Sequence, residues 1–468
     1  MKTFKDSISF KDNNILFYHL NRPDFSVFDV TVHQQGMDSV KNQMFDPVKG
    51  LTFGGIMMGQ NMRPAGNTDG KYADTRYKGW KLRSKAPAKS HSIDIVLLTT
   101  QTPSIDQWED DLQKAVERMR ANSKTAKAVA RQWWNDFWDR SYICINPDNR
   151  DEQQTEWQVG RNYQLFRYML GCNAYGAWPT KFNGGLFTYD PVYIDTSKHF
   201  TPDYRNWCGG TMTAQNQRLV YFPMIKSGDF VMMRSQFDFY LRSLRNAELR
   251  SKVYWGHGGA CYTEQIENFG LPNCTEYGWN RPDDVDRGVE YNSWLEYEWD
   301  TVLEFCLMIL ETERYNGTDI SQYVPMIESC LAFFNEHYQV LAKRRGTKIY
   351  DENEHLVLYP GSAGETYKMA YNASSTIAAL VTITSRLLEL PDKYIDMSKR
   401  DEWTAFLKRI PPLNYRQCGG HATIAPAKLW ERRQQYRNHA ALSCFPVGNI
   451  WSRQARSRHG PEYMALRP

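Results

Sequence analysis

The stretch Ser104-Ile-Asp-Gln-Trp108-Glu-Asp-Asp-Leu112-Gln-Lys-Ala115-Val116-Glu-Arg-Met119 decides how the chain divides. Its apolar residues recur every three or four positions, the period of an amphipathic helix. Upstream the pattern is different. Ile8-Ser-Phe10, Ile15-Leu-Phe-Tyr18, Phe25 to Val32, Leu51-Thr-Phe53 and Ser92 to Thr100 are short β-branched or aromatic runs. Glycine, proline and asparagine clusters separate them, and Asn61 to Gly70 reads as a turn or loop. Downstream, helical patterns cover Lys124 to Ser141, Asp151 to Cys172, Met212 to Met224, Lys226 to Ser251 and Asn292 to Tyr315. They continue over Ile320 to Lys343, Ser374 to Leu390 and Arg400 to Arg409. Loops rich in Gly, Pro, Asn and aromatics join them. The expected class is α+β and multidomain, mainly α. Residues 1–104 read as part of a β-sandwich and 105–130 as a helical linker. Residues 131–431 read as an (α/α)6 barrel, incomplete at its C-terminal end, and 432–468 as an irregular basic tail.

Composition narrows the function. The 468 residues carry 57 Lys and Arg against 53 Asp and Glu, a balance that does not favour a nucleic-acid partner. Much of the surplus lies at the end, where 432–468 hold seven Arg and one acid. Aromatics make up 14%, with 15 Trp and 28 Tyr. They fit either an aromatic core or ring-lined walls for a sugar, whose C–H faces pack on flat rings. The nine cysteines include no C-x-x-C pair, so most are expected as buried thiols and a metal finger is excluded. There is no EF-hand-like loop and no His-x-x-x-His pair, so no metal and no cofactor are expected. No apolar run approaches the roughly 18 residues of a transmembrane helix. The N-terminus has charge but no apolar core region, and does not read as a secretory signal. Nothing bears on the oligomeric state.

Several loops could carry chemistry. Gly176-Ala-Trp178-Pro-Thr-Lys-Phe-Asn183-Gly-Gly-Leu-Phe-Thr-Tyr-Asp190 mixes rings with polar groups. It is either a connecting loop or one wall of a sugar site, with Trp178 stacking and Asn183 and Asp190 bonding hydroxyls. Trp133-Trp134-Asn-Asp-Phe-Trp138 either locks a helix to the β region or floors the pocket. Asn216, Gln217 and Arg218 lie where a loop enters a helix, whose first N–H groups lack partners. They form either a solvated face or a hydroxyl-binding set. Trp255-Gly-His257-Gly-Gly-Ala-Cys-Tyr262-Thr-Glu264-Gln-Ile-Glu267 is glycine-rich and acidic, and Glu290-Tyr291-Asn292 opens another acidic, aromatic segment. Pro360-Gly-Ser-Ala-Gly-Glu365-Thr-Tyr367 sets one glutamate among small residues that let a substrate approach. A carboxyl partly withdrawn from water keeps its proton more readily, as departure of a glycosidic oxygen requires.

Together these stretches resemble the helical-barrel glycoside hydrolases related to the alpha-L-fucosidases of glycoside hydrolase family 95, in particular a bacterial branch common in Bacteroidetes. Pro360 to Glu365 is similar to the family's Pro-Ser-x-Ser-Pro-Glu-like segment, which implies Glu365 as general acid. Ala214-Gln-Asn216-Gln-Arg218-Leu-Val-Tyr221-Phe222-Pro223 is similar to its Asn-x-Asn-x-Gln-x-x-Tyr-Trp-Pro segment. That implies Asn216 as the second of two asparagines that help activate water. Ala214 replaces the first, and the family's late aspartate has no clear counterpart. The resemblance implies an (α/α)6 barrel behind a β-supersandwich, a carbohydrate substrate, inverting hydrolysis, and a periplasmic or extracellular place.

The expected catalytic residues are therefore Glu365, Asn216 and Glu264, the last as base, with Glu267, Glu290 and Glu296 as alternatives. Trp178, Asn183, Asp190, Gln217, Arg218, His257, Glu267, Tyr291, Asn292 and Tyr367 are expected to bind substrate. Two other readings stay open. A polysaccharide lyase on the same scaffold would use Asn216, His257 and Tyr262, and a carbohydrate-binding barrel would use none of them catalytically.

Overall fold

A computed structural model describes residues 4–149, 151–182, 186, 191–193, 196–197 and 211–434. The fold is mixed α and β, with helices dominant and several small sheets. The chain forms two compact units. One holds Met1–Val32, Asp46–Phe166 and Gly184–Gly209, and the other His33–Phe45, Arg167–Asn183 and Gly210–Pro468.

In the first unit, β1 (Ser7–Lys11), β2 (Asn14–Leu20), β3 (Leu51–Gly59) and β6 (Ile93–Gln101) make one antiparallel sheet in the order β1-β2-β3-β6. A separate hairpin joins β4 (Met62–Tyr72) to β5 (Thr75–Ser84). Asn61 to Gly70, expected as loop, thus lies mostly in a strand, because Thr75 to Ser84 supplies a full-length antiparallel partner. The helical period from Ile105 runs unbroken to Arg140, so the expected linker and the helix after it are one helix, α2 (Ile105–Arg140). Ser104 starts it, its side chain accepting from the Gln107 N–H. Trp108, Leu112 and Val116 pack with Leu16, Met58 and Val96 from the sheet. A fully buried leucine or valine contributes roughly 1.5–3 kcal/mol. Ile93, Ile95 and Leu97, pointing the other way along β6, are exposed.

Phe25 to Val32 is not the expected strand. Val27–Gln34 is a helix, α1, which buries Phe28, Thr31 and Val32 at helical spacing. The Asp29 carboxylate accepts from the Ser26 N–H and hydroxyl, and the Thr31 hydroxyl donates to the Val27 carbonyl. Those local bonds and the tertiary burial override the β preference of its branched residues. After α2 comes α3 (Thr155–Cys172).

In the second unit, β7 (Met212–Thr213) leads directly into α4 (Ala214–Ser227). Left-handed Gly228 stops α4 (φ +74°), so the expected helix from Lys226 begins instead with a short 3-10 turn and then α5 (Arg234–Trp255). There follow β8 (Gln265–Ile266), a single helical turn α6 (Cys274–Tyr277), α7 (Thr301–Asn316) and α8 (Val324–Arg344). The chain ends with β9 (Gly361–Ala363), β10 (Tyr367–Ala370), α9 (Ser374–Leu388), α10 (Met397–Arg409), the hairpin β11 (Tyr415–Cys418) and β12 (His421–Ile424), and β13 (Arg432–Arg433). Helix α7 is apolar nearly all round and contacts α4, α5, α8 and α9, so it is the core of this unit.

Two further expectations change here. The helix expected from Asn292 starts only at Thr301. The Asn292 side chain accepts from the Trp294 N–H and Tyr297 adopts φ +59°, which turns the chain before α7. The tail expected from Arg432 opens in a strand, since Arg432 and Arg433 pair with β10 and Arg432 meets Glu296. Residues 435–468 lie outside the described part. Cys261, Cys274, Cys306 and Cys330 are buried, whereas Cys144, Cys172 and Cys418 are exposed. Among the described residues no helix is long and apolar enough to cross a membrane.

Candidate functional site: a buried carboxyl cluster

The cluster is assembled by two small sheets. Strand β7 pairs with β8, setting Glu264 against the first turn of α4. The Ala214 N–H donates to the Glu264 carbonyl (3.0 Å) and the Gln215 N–H to its Oε1 (3.0 Å). Glu264 therefore supplies from a distant loop the cap that α4 lacks locally. The Gln215 amide then donates to Oε1 of Glu298 at 2.9 Å.

Strands β9 and β10 make the second arm. Gly364 takes φ +58°, a left-handed turn that favours glycine, and Glu365 follows it half-buried. Lys368, fully buried, holds the arm in place. Its Nζ donates to the Trp294 carbonyl (2.7 Å), the Ser362 hydroxyl (2.7 Å) and the Glu296 carbonyl (3.3 Å), and lies 3.7 Å from Glu298 Oε2. The Ser362 hydroxyl donates in turn to the Gly364 carbonyl at 2.5 Å. One lysine thus ties the Glu365 turn to the Glu298 segment.

A cleft opens beside these arms. Arg218, Glu298, Asp300, Thr301, Glu304, Gly364 and Ser375 give its polar wall, and Leu303, Leu307, Ala379 and Ile383 its apolar wall. Arg218 donates to Glu304 at 2.6 Å. Asp300 accepts from Ser375 (3.1 Å) and Thr376 (2.7 Å) in the first turn of α9.

The electrostatics follow from burial. Glu298 is pushed up to about 8, chiefly because burial penalises its charge. Lys368 pulls it back, while Asp300 and Glu365 push it further. Glu264 is raised well above the carboxylate range by burial and by Glu298, Glu290 and Glu365, with the Gln215 N–H opposing. Asp300 and Glu304 are also raised by burial, and Lys368 is lowered by burial against the pull of Glu298, Glu365 and Glu290. Glu264, Glu298 and Glu365, from three separate segments, therefore lie within electrostatic reach of one another.

Of the residues singled out in the sequence, Glu264, Glu365 and Arg218 come together here. Asn216 sits half-buried in the same first turn of α4. Gln217 does not face the cleft: it is fully buried, donating to the Thr180 carbonyl and accepting from Gln236. Trp178 is sandwiched within its own surroundings, with the Arg242 guanidinium 4.7 Å from its ring and Phe239 at 6.1 Å. His257 contacts the Gly258 carbonyl and His337 (3.0 Å) and stacks on Trp255. Burial lowers both histidines, so the pair is neutral. Glu267 is pushed up to about 7 by burial, with Lys181 opposing, but lines no part of this cleft. Tyr291 is exposed, Asn292 is bound to Glu276 and the Trp294 N–H, and Tyr367 is buried against Trp430. Asn183 and Asp190 lie outside the described residues. Among the alternative bases, Glu290 is buried with both oxygens unpaired, and Glu296 is held by Arg432.

Sequence reasoning missed Glu298, Asp300, Glu304 and Lys368 as members of the site. The acids were visible in Glu296-Tyr-Glu298-Trp-Asp300, but their shared face depends on the turn at Tyr297. Among the described residues, no group of three His, Cys, Asp or Glu side chains is arranged to hold a metal ion.

A family model described as a domain of unknown function (DUF5703) matches residues 1–143. That span covers the first unit's sheet and α2, and ends before the carboxyl cluster. No curated protein matches the chain.

Proposed function

We propose that the chain is a glycoside hydrolase of the (α/α)6-barrel kind, related to glycoside hydrolase family 95, and that Glu298 and Glu365 are its working carboxyls. The observation that carries this reading is placement: Glu298, which burial raises to about 8, lines a cleft with Gly364, the neighbour of Glu365. A carboxyl that burial keeps protonated can give its proton to a leaving oxygen while a second, more open carboxyl takes one from water. Glycosidic cleavage needs that pair. Glu298 donates to the leaving oxygen, and Glu365 draws the proton from water. Glu298 fits the donor's part better than Glu264, because it lines the cleft and its Oε2 has no hydrogen-bond partner. Glu264 spends its Oε1 on capping α4. Lys368 fastens the Glu365 turn to the Glu298 segment, and its charge offsets part of the rise at Glu298.

The lyase reading has less support. Its tyrosine, Tyr262, is fully buried and donates to the Tyr240 carbonyl at 2.6 Å, and its histidine is paired with His337. The test is reducing-end release from an oligosaccharide panel by wild type and Glu365→Gln. General acid–base catalysis contributes about 10²–10⁴-fold, so the variant should lose that much. Full retention of activity, or an unsaturated product in place of a reducing end, would overturn the proposal.

A further inference from the structure

We infer that strand β6 pairs antiparallel with the same strand of a second copy of the chain, so that two sheets run on as one. In the order β1-β2-β3-β6, β6 is an edge, and among the described residues no strand lies beyond it. An edge strand offers unpaired N–H and C=O groups, and folded proteins ordinarily guard it with charge, proline, a bulge or brevity. The other outer strands described in this unit are guarded. Strand β1 has only five residues and ends in Lys11, which meets Glu109. Strand β4 carries Pro64 and a register break between Pro64 and Asn67, and β5 carries Arg76, Lys78, Lys81 and Arg83. Strand β6 has none of these devices. Its nine residues keep unbroken register with β3, include no proline, lysine or arginine, and hold Asp94 as their single charge. Its outer face shows Ile93, Ile95 and Leu97 to water, at 51%, 54% and 67% exposure.

What points to a second copy as the occupant is the strand's own symmetry. Across a two-fold axis residue i meets j and j meets i. Centred on Leu97, β6 pairs with itself over all nine residues, Ile93 to Gln101. Ile93 meets Gln101, Asp94 meets Thr100, Ile95 meets Thr99, Val96 meets Leu98, and Leu97 meets its own copy. Any other centre leaves residues unpaired at an end. The charges also agree, because Asp94 lies opposite a threonine and no two carboxylates face each other directly. Each side chain keeps its face. Val96 and Leu98 stay on the side packed against α2, and the odd-numbered residues of both copies make one apolar stripe. Phe53, beside Thr99 on β3 and 43% exposed, widens that stripe. Main-chain hydrogen bonds hold such an added strand, and the aliphatic surface withdrawn from water drives it on.

The experiment is sedimentation equilibrium of the full chain at micromolar concentrations, where a species of twice the chain mass should appear. Leu97→Lys sets two ammonium groups against each other on the axis and should raise the dissociation constant about a hundred-fold or more. Leu97 is exposed in the single chain, so the circular dichroism spectrum should not change. A second measurement reads the register. A short bis-maleimide should join Leu97→Cys to its own copy well above the level given by the native cysteines. It should leave Ile93→Cys at that level, because the two copies of position 93 lie about 27 Å apart along the pair at about 3.4 Å per residue. A chain that stays monomeric, open-ended larger species, or a dimer that survives Leu97→Lys would overturn the inference. So would cross-linking through position 93 that matches or exceeds that through position 97.

Discussion

Glu290 and Glu298 leave the same acidic, aromatic segment and end in different worlds. Burial pushes both carboxyls up to about 8. Both oxygens of Glu290 lack hydrogen-bond partners, and the nearby Arg250 is committed to the carbonyls of Cys261 and Gly288. Around Glu298 one oxygen is held by Gln215, the other faces Lys368, and a cleft gives access. An elevated carboxyl is thus not a site by itself. What separates the two is a positioned partner and a cleft that Glu298 lines.

The comparison breaks most easily at the level of turnover. Glu298→Gln should lower kcat/KM by about 10²–10⁴-fold, while Glu290→Gln should stay within a few-fold of wild type. Steady-state kinetics on any cleaved oligosaccharide decides this, and equal losses in the two variants would erase the distinction.

Next in size is Lys368→Met. Removing one partner of a buried ion pair costs about 3–5 kcal/mol, and here two carbonyls also lose their donor. Urea unfolding should report that loss. A loss under about 1 kcal/mol would show that the lysine is not what fastens the Glu365 turn.

The smallest effect concerns the pH dependence of stability. Glu290 binds its proton more tightly folded than unfolded. Its contribution is therefore fully present below the ordinary glutamate range and is lost as pH rises through about 8. Glu290→Gln removes that loss, so the melting temperature should fall less steeply between weakly acid and weakly alkaline pH. A slope identical to wild type would mean that Glu290 is ionised in the fold.

The same contrast explains what could be read in advance. Helix α2 was legible because Trp108, Leu112 and Val116 repeat at a spacing set by local geometry. Glu365 was legible because glycines and a proline surround it. Glu264 was legible as an acid in a glycine-rich loop, though not as the cap of α4, since its partner Gln215 lies far away in the chain. Lys368 carries no local signal, because its burial is created by the carbonyls of Trp294 and Glu296. Glu298 was hidden among acids and rings that fit a helix equally well, and only the left-handed turn at Tyr297 sorts them. Phe25 to Val32 failed for the opposite reason: its composition spoke for a strand while its contacts make a helix.

The most direct test of this acid–base assignment is the pH dependence of kcat/KM in wild type and in Glu290→Gln. Once Glu298 gives up its proton no general acid remains, so the rate should fall as pH rises through about 8. That limb should persist in Glu290→Gln. A wild-type profile with no fall near 8, or a limb that vanishes with Glu290, would contradict the account.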